Sequence, residues 1–204
     1  MSSDLKNTEL FLRGIIQENT IFRQAISLCP AIAVTSTVRD GFMMGIAVLF
    51  VQTMVNMTVS SMRSAIHPRI RLPIFMLIIS GWVTVTDMLC AAFAPGVYAT
   101  LGLYIQLIVA FASILAAAES FASKNGVIKS TFDGLGRGAG FLLAMIAISA
   151  VRELLGKGTI LDYPVLFGAK PLLIMILPAG GFITAGLLMA LFNYLDQKFS
   201  KKAA

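Results

Sequence analysis

Residues 27–45 read SLCPAIAVTSTVRDGFMMG. A thiol and a helix breaker sit side by side in the first apolar run. Three hydroxyl residues follow, and then Arg39-Asp40-Gly41. Pro30 has no amide hydrogen, and its ring clashes with the preceding turn. Carbonyls freed in this way inside a bilayer must be satisfied by protein, because lipid offers no donors. The stretch is therefore expected as two half-helices with Cys29 at the break. Thr35, Ser36 and Thr37 stand close enough to bond the freed carbonyls.

The rest of the chain places this stretch in a membrane. Of 204 residues, 57% are hydrophobic and 13% are charged, and the mean hydropathy is +0.85. A soluble domain of this length needs far more polar surface. Several windows approach the ~20 apolar residues that cross a bilayer. The expected fold is an all-α polytopic membrane protein with six transmembrane helices, at 21–37, 42–60, 72–93, 97–118, 138–155 and 172–195. One integral membrane domain covers 1–204. Residues 1–20 form a cytoplasmic segment, amphipathic on the membrane surface or simply a solvated helix. Residues 21–195 form the bundle, and 196–204 a cytoplasmic tail. No cleavable signal peptide is visible.

Net charge is +6, but the basic residues are scattered through short loops, which argues against nucleic acid. They fit topology instead. With six spans and the N-terminus inside, twelve of the 16 lysines and arginines fall inside. Arg39, Arg152, Lys157 and Lys170 fall outside. That bias puts both termini in the cytoplasm.

Asp40-Gly41-Phe42-Met43-Met44-Gly45 and Asp133-Gly134-Leu135-Gly136-Arg137-Gly138 share the pattern D-G-x-x-x-G before a long apolar run and an arginine. Three spans separate them, so the halves would face opposite ways, as two inverted three-helix repeats. Such repeats put their working site where broken helices meet near the midplane. Cys29 is then either a small buried apolar residue or a thiolate ligand. One sulfur holds no cluster without partners. Cys90 reads as packing. Asp87, late in the third span, reads either as an interfacial residue or as part of an ion path. Glu119 balances Lys124, Arg152 and Glu153 form an interface pair, and Gly134/Gly138 and Gly136/Gly140 allow close helix approach.

Four stretches carry a family resemblance: SLCPAIAVT (27–35), AESFASKN (118–125), DGLGRGAGFLLAMIAISAVRELLGKGTI (133–160) and ILPAGGFITAGLLMALFNY (176–194). They resemble the E subunit of the Rnf complex and its counterpart, the D subunit of the sodium-pumping NADH:quinone oxidoreductase. The resemblance implies a subunit of an ion-translocating electron transport complex in a bacterial or archaeal cytoplasmic membrane. It implies a homologous sister subunit of the Rnf A or Nqr E type in opposite orientation. It also implies one [2Fe–2S] cluster held by two cysteines from each of the pair. Flavins, NADH or ferredoxin would be bound by other subunits.

Cys29 matches the first family ligand. The second lies seven residues before Glu119, which is Ala112 here, with Phe111 in place of the family's asparagine. Ala116-Ala117 stands where the family has Gly-Arg. An alanine cannot ligate iron. The cluster survives with a replacement ligand, or is lost, or the chain serves another assembly of the same architecture. Asp87, Asp133 and Asp40 are the ion-path candidates, carboxylates being natural handles for hard cations or protons. Competing readings are a redox-silent scaffold and a secondary transporter. No serine–histidine–carboxylate set, phosphate loop or zinc spacing appears. A single histidine, His67, excludes a histidine-built metal site within this chain.

Overall fold

The computed structural model describes residues 11, 14–15, 18–93, 95–156, 158–160, 163–164 and 173–200. The helices are α1 (Leu28–Ala33), α2 (Val38–Met62), α3 (Arg71–Phe93), α4 (Pro95–Gln106), α5 (Ala112–Ala117), α6 (Val127–Gly156), α7 (Leu173–Ile176) and α8 (Pro178–Ser200). A 3₁₀ turn, Pro68–Ile70, leads into α3; another, Leu107–Ala110, follows α4, and a π turn, Ala118–Ala122, follows α5. A two-residue antiparallel pair, β1 (Thr159–Ile160) with β2 (Tyr163–Pro164), is the exception to this helical content among the described residues.

Among the described residues, four helical stretches are long and apolar enough to cross a membrane: Val38–Met62, Pro68–Phe93, Tyr98–Ala122 and Val127–Gly156. A shorter apolar run covers Pro178–Tyr194 in α8. The expected first span is represented by the six residues of α1 after a turn at 20–24. Most of the expected N-terminal segment and residues 201–204 of the tail lie outside the described residues.

The centre of the bundle is the crossing of α2 and α6. Met44, Val51 and Val55 of α2 and Met145 and Ile148 of α6 are fully buried there. Glycines set the approach. A Cβ added to Gly41 would stand 2.8 Å from Ser149 Oγ, and one on Gly138 would stand 2.8 Å from Leu49 Cα. Gly45 lies against Leu142, and Gly134 against Thr53 and Asn56. As numbers rise along α2 they fall along α6, so the helices run antiparallel. Gly136 and Gly140 use another face of α6. They meet the backbone of Phe11 and of Gly14-Ile15, which packs that part of the N-terminal segment on the bundle. Trp82 Nε1 donates to Thr58 Oγ1 at 3.0 Å and ties α3 to α2. The outer faces stay apolar and exposed, with Leu77, Met88 and Phe93 on α3 and Phe182 and Leu187 on α8. Side chains of this kind suit lipid or neighbouring subunits.

Two sequence expectations need correction. The fifth span begins at Val127, eleven residues before the expected 138. Asp133-Gly134 therefore lies inside α6, whereas Asp40-Gly41 does open α2. The charges at 133 and 137 read as loop, yet they pair at i,i+4 within the helix. Arg152, inside the expected fifth span, is 2% exposed within α6.

Candidate functional site

The first helix break precedes Pro30. Ala25 and Ser27 hold left-handed backbone angles, φ 53° and 63°. Non-glycine residues in this region store about 1–3 kcal/mol each and persist where surrounding structure holds them. Pro30 is the third residue of α1, in the first turn, where no amide hydrogen is needed. It therefore starts the half-helix, and the interruption lies at residues 25–27. Cys29, the second residue of α1, is exposed.

A second break interrupts the span Tyr98–Ala122. The chain leaves its 3₁₀ turn through extended Phe111, ψ 111°, and α5 starts at Ala112. Ala112, like Cys29, is exposed at the start of a short helix. The structure joins the two breaks. Ser27 Oγ donates to Ser113 Oγ at 2.9 Å, and Ser113 N donates back to Ser27 Oγ at 3.4 Å. The sequence offered no signal for this link.

Arg152 holds the far end of α1. Its Nη1 donates to Ile32 O and to Thr35 Oγ1, both at 2.7 Å. Its Nε donates to Met175 O at 3.1 Å. Its Nη2 donates to Ile176 O at 3.0 Å and Leu177 O at 3.3 Å. A guanidinium has five N–H donors, and here all are used. The accepting carbonyls sit at the C-terminal ends of α1 and α7, where the helix dipole favours a cation. Thr35 also bonds Ala31 O, a carbonyl at the end of α1 and not one freed by Pro30. Glu153 accepts from Val38 N at 2.6 Å, at the N-terminus of α2. Adjacent residues of α6 thus cap helix ends of opposite polarity, a role that the expected interface pair did not foresee.

The three ion-path aspartates are bonded in separate neighbourhoods. Asp40 lies in the first turn of α2 and holds its cap, Thr37: its N–H donates to Thr37 Oγ1 at 3.2 Å, and Thr37 donates to Asp40 Oδ2 at 2.7 Å. Asp87 accepts from Tyr98 OH at 3.3 Å, and its buried Oδ1 has no partner among the described residues. Asp133, 3% exposed, belongs to a buried network. Arg137 Nε donates to both of its oxygens at 3.1 and 3.0 Å, and Arg137 Nη2 also pairs with Glu18. Asn56 of α2 donates to Asp133 Oδ2 and Ser130 O, each at 3.4 Å, and accepts from Gln52 Nε2 at 3.1 Å. Gln52 and Asn56, one turn apart in an apolar run, were the available sequence signal for this network. Glu119 pairs with Arg71 at 2.5 Å, not with Lys124 as expected. Cys90 packs against the core, as its sequence context suggested.

A four-thiolate cluster that takes two ligands from this chain does not fit. Cys29 suits it, being exposed at a helix start. Position 112 offers a methyl group, and the neighbouring Ser113 is buried and bonded to Ser27. Among the described residues no group of three or more His, Cys, Asp and Glu stands ready for a metal ion.

Antiparallel glycine-packed helices, buried charge at helix ends and two joined breaks define a multi-pass helical membrane protein. The description "Rnf-Nqr subunit, membrane protein" matches residues 7–189. The E subunit of the proton-translocating ferredoxin:NAD(+) oxidoreductase complex of Clostridium ljungdahlii is 50% identical over 194 residues, covering 94% of this chain and 91% of that protein. The E subunit of the Na(+)-translocating ferredoxin:NAD(+) oxidoreductase complex of Acetobacterium woodii is 43% identical, covering 91% and 95%. The corresponding E subunit of the ion-translocating oxidoreductase complex of Methanosarcina acetivorans is 40% identical, covering 98% and 96%. This chain belongs to the Rnf-Nqr family of membrane subunits.

Proposed function

We propose that this chain is an integral membrane subunit, of the E type, in an Rnf-type complex that couples electron transfer to sodium or proton translocation. Its partners are a homologous sister subunit of the Rnf A or Nqr E type and the remaining subunits, which bind NADH, ferredoxin and flavins. The observation that carries this reading is the joined pair of breaks: Cys29 and position 112 open two half-helices bound through Ser27 and Ser113.

In this reading six spans form two inverted halves in a cytoplasmic membrane, with both termini inside. The glycine register supports it. Adding 93 to Gly41 and Gly45 gives Gly134 and Gly138, while subtracting 93 from their partners Ser149 and Leu142 gives Asn56 and Leu49, the partners of the second pair. A two-fold axis in the membrane plane generates this exchange. Asp133, with its buried network, is the strongest of the ion-path candidates, followed by Asp87 and Asp40.

Any [2Fe–2S] cluster shared with the sister subunit takes one ligand, Cys29, from this chain. Iron content and low-temperature EPR of the purified complex test this. Cys29→Ala is expected to abolish the cluster signal and Ala112→Cys to change its spectrum. Iron and spectra unmoved by either substitution would overturn the assignment and leave a redox-silent scaffold.

A further inference from the structure

Three cations converge at one end of the bundle, away from the breaks. Arg63 follows α2, Arg71 opens α3 and Lys124 lies in the turn before α6. With Ile66, Pro68 and Phe75 they line a cavity of about 190 Å³. A more open cavity along residues 124–129 shares Lys124. Glu119 pairs with Arg71. Among the described residues no carboxylate lies within ion-pair distance of Arg63 or Lys124. Arg63 Nη1 donates to the carbonyl of Lys124 at 3.3 Å.

The level of this cavity is fixed by the helix ends. Spans finish at Met62 and Ala122 and begin at Pro68 and Val127, all beside it. Helix ends of spanning length meet water where lipid headgroups lie. Apolar side chains continue from the cavity along the flanks: Ile70, Leu72 and Ile128 are 53%, 45% and 68% exposed. Cations with exposed aliphatic groups beside them at the same helix ends match a phosphate head with the start of its acyl chains.

We propose that this cavity binds the headgroup of an anionic phospholipid. The phosphodiester is held by Arg63 and Arg71, whose forked donors suit phosphate oxygens, and Lys124 adds charge. The acyl chains lie on the exposed sides of α3 and α6. Basic pockets between spanning helices at a membrane surface favour anionic headgroups in this way. The positive-inside bias would place the site at the cytoplasmic leaflet.

The test uses the purified complex, delipidated in detergent and titrated separately with phosphatidylglycerol, phosphatidylcholine and inorganic phosphate. Native mass spectrometry reads retained lipid, and thermal melting reads stabilisation. Phosphatidylglycerol should be retained and should raise the melting temperature, while phosphatidylcholine and inorganic phosphate should do neither. Arg63→Gln with Lys124→Gln should weaken retention by about fivefold for each cation removed. Lys124→Gln alone breaks no side-chain bond to the described residues, so it reports even where the double variant fails to fold. Equal retention by wild type and Lys124→Gln would overturn the proposal. So would equal stabilisation by phosphatidylcholine, or by inorganic phosphate at the same concentration.

Discussion

Replacing Arg152 by methionine keeps a long side chain in place and removes five donors. The carbonyls of Ile32, Met175, Ile176 and Leu177 then lose their partner, and Thr35 Oγ1 loses a donor. A buried acceptor left unmade costs about 1–3 kcal/mol. Helix-end carbonyls relax toward other donors, so the full sum is not reached. The expected loss is about 3–5 kcal/mol, equivalent to about two or three such acceptors left unmade. Arg152→Lys retains the charge and three donors, and should cost about half as much. Unfolding in mixed micelles with rising dodecyl sulfate fraction measures both. Trp82, the only tryptophan and bonded to α2 through Thr58, supplies the fluorescence signal. A methionine variant within about 1 kcal/mol of wild type, or equal losses for lysine and methionine, would refute the helix-end account.

Gly138→Ala places a methyl group against the backbone of Leu49 and should cost about 1–3 kcal/mol by the same assay. Gly81→Ala, on α3 with open space around it, should be neutral or slightly stabilising. Ser27→Ala and Ser113→Ala should each cost about 1 kcal/mol, and a double-mutant cycle should show them strongly non-additive. Asp133→Asn should slow ion uptake by reconstituted complex more than Asp40→Asn, whose carboxylate accepts from Thr37, the cap of α2. Equal effects, or none while electron transfer runs normally, would remove Asp133 from the ion path.

Hydropathy made the membrane and four long helices legible, because a spanning helix announces itself by length alone. The small-residue spacing in α6 was legible too, and the structure uses both glycine faces. The first break was visible through Pro30, although its position moved: proline is cheap in a first turn, so the strain passes to Ala25 and Ser27. The second break was not visible. Leu107-Ile108-Val109-Ala110-Phe111 contains neither proline nor glycine, and its geometry depends on Ser113 meeting a serine 86 positions earlier. Charges misled the reading where they are buried. Asp133 and Arg137 look like loop residues in sequence, yet each is satisfied inside the bundle, with partners from distant segments.

The antiparallel crossing of α2 and α6 has a consequence for biogenesis. Gln52 and Asn56 enter the bilayer with α2, and the aspartate that completes their network is about eighty residues further along the chain. At translation rates of 5–20 residues per second that is a delay of about 4–16 s. Throughout it the amide pair faces lipid or an insertase, and Gly41 and Gly45 offer an uncovered groove. The helix that forms the centre of the finished bundle is thus for several seconds its most vulnerable part, and a substitution there can act on assembly without altering the mature protein.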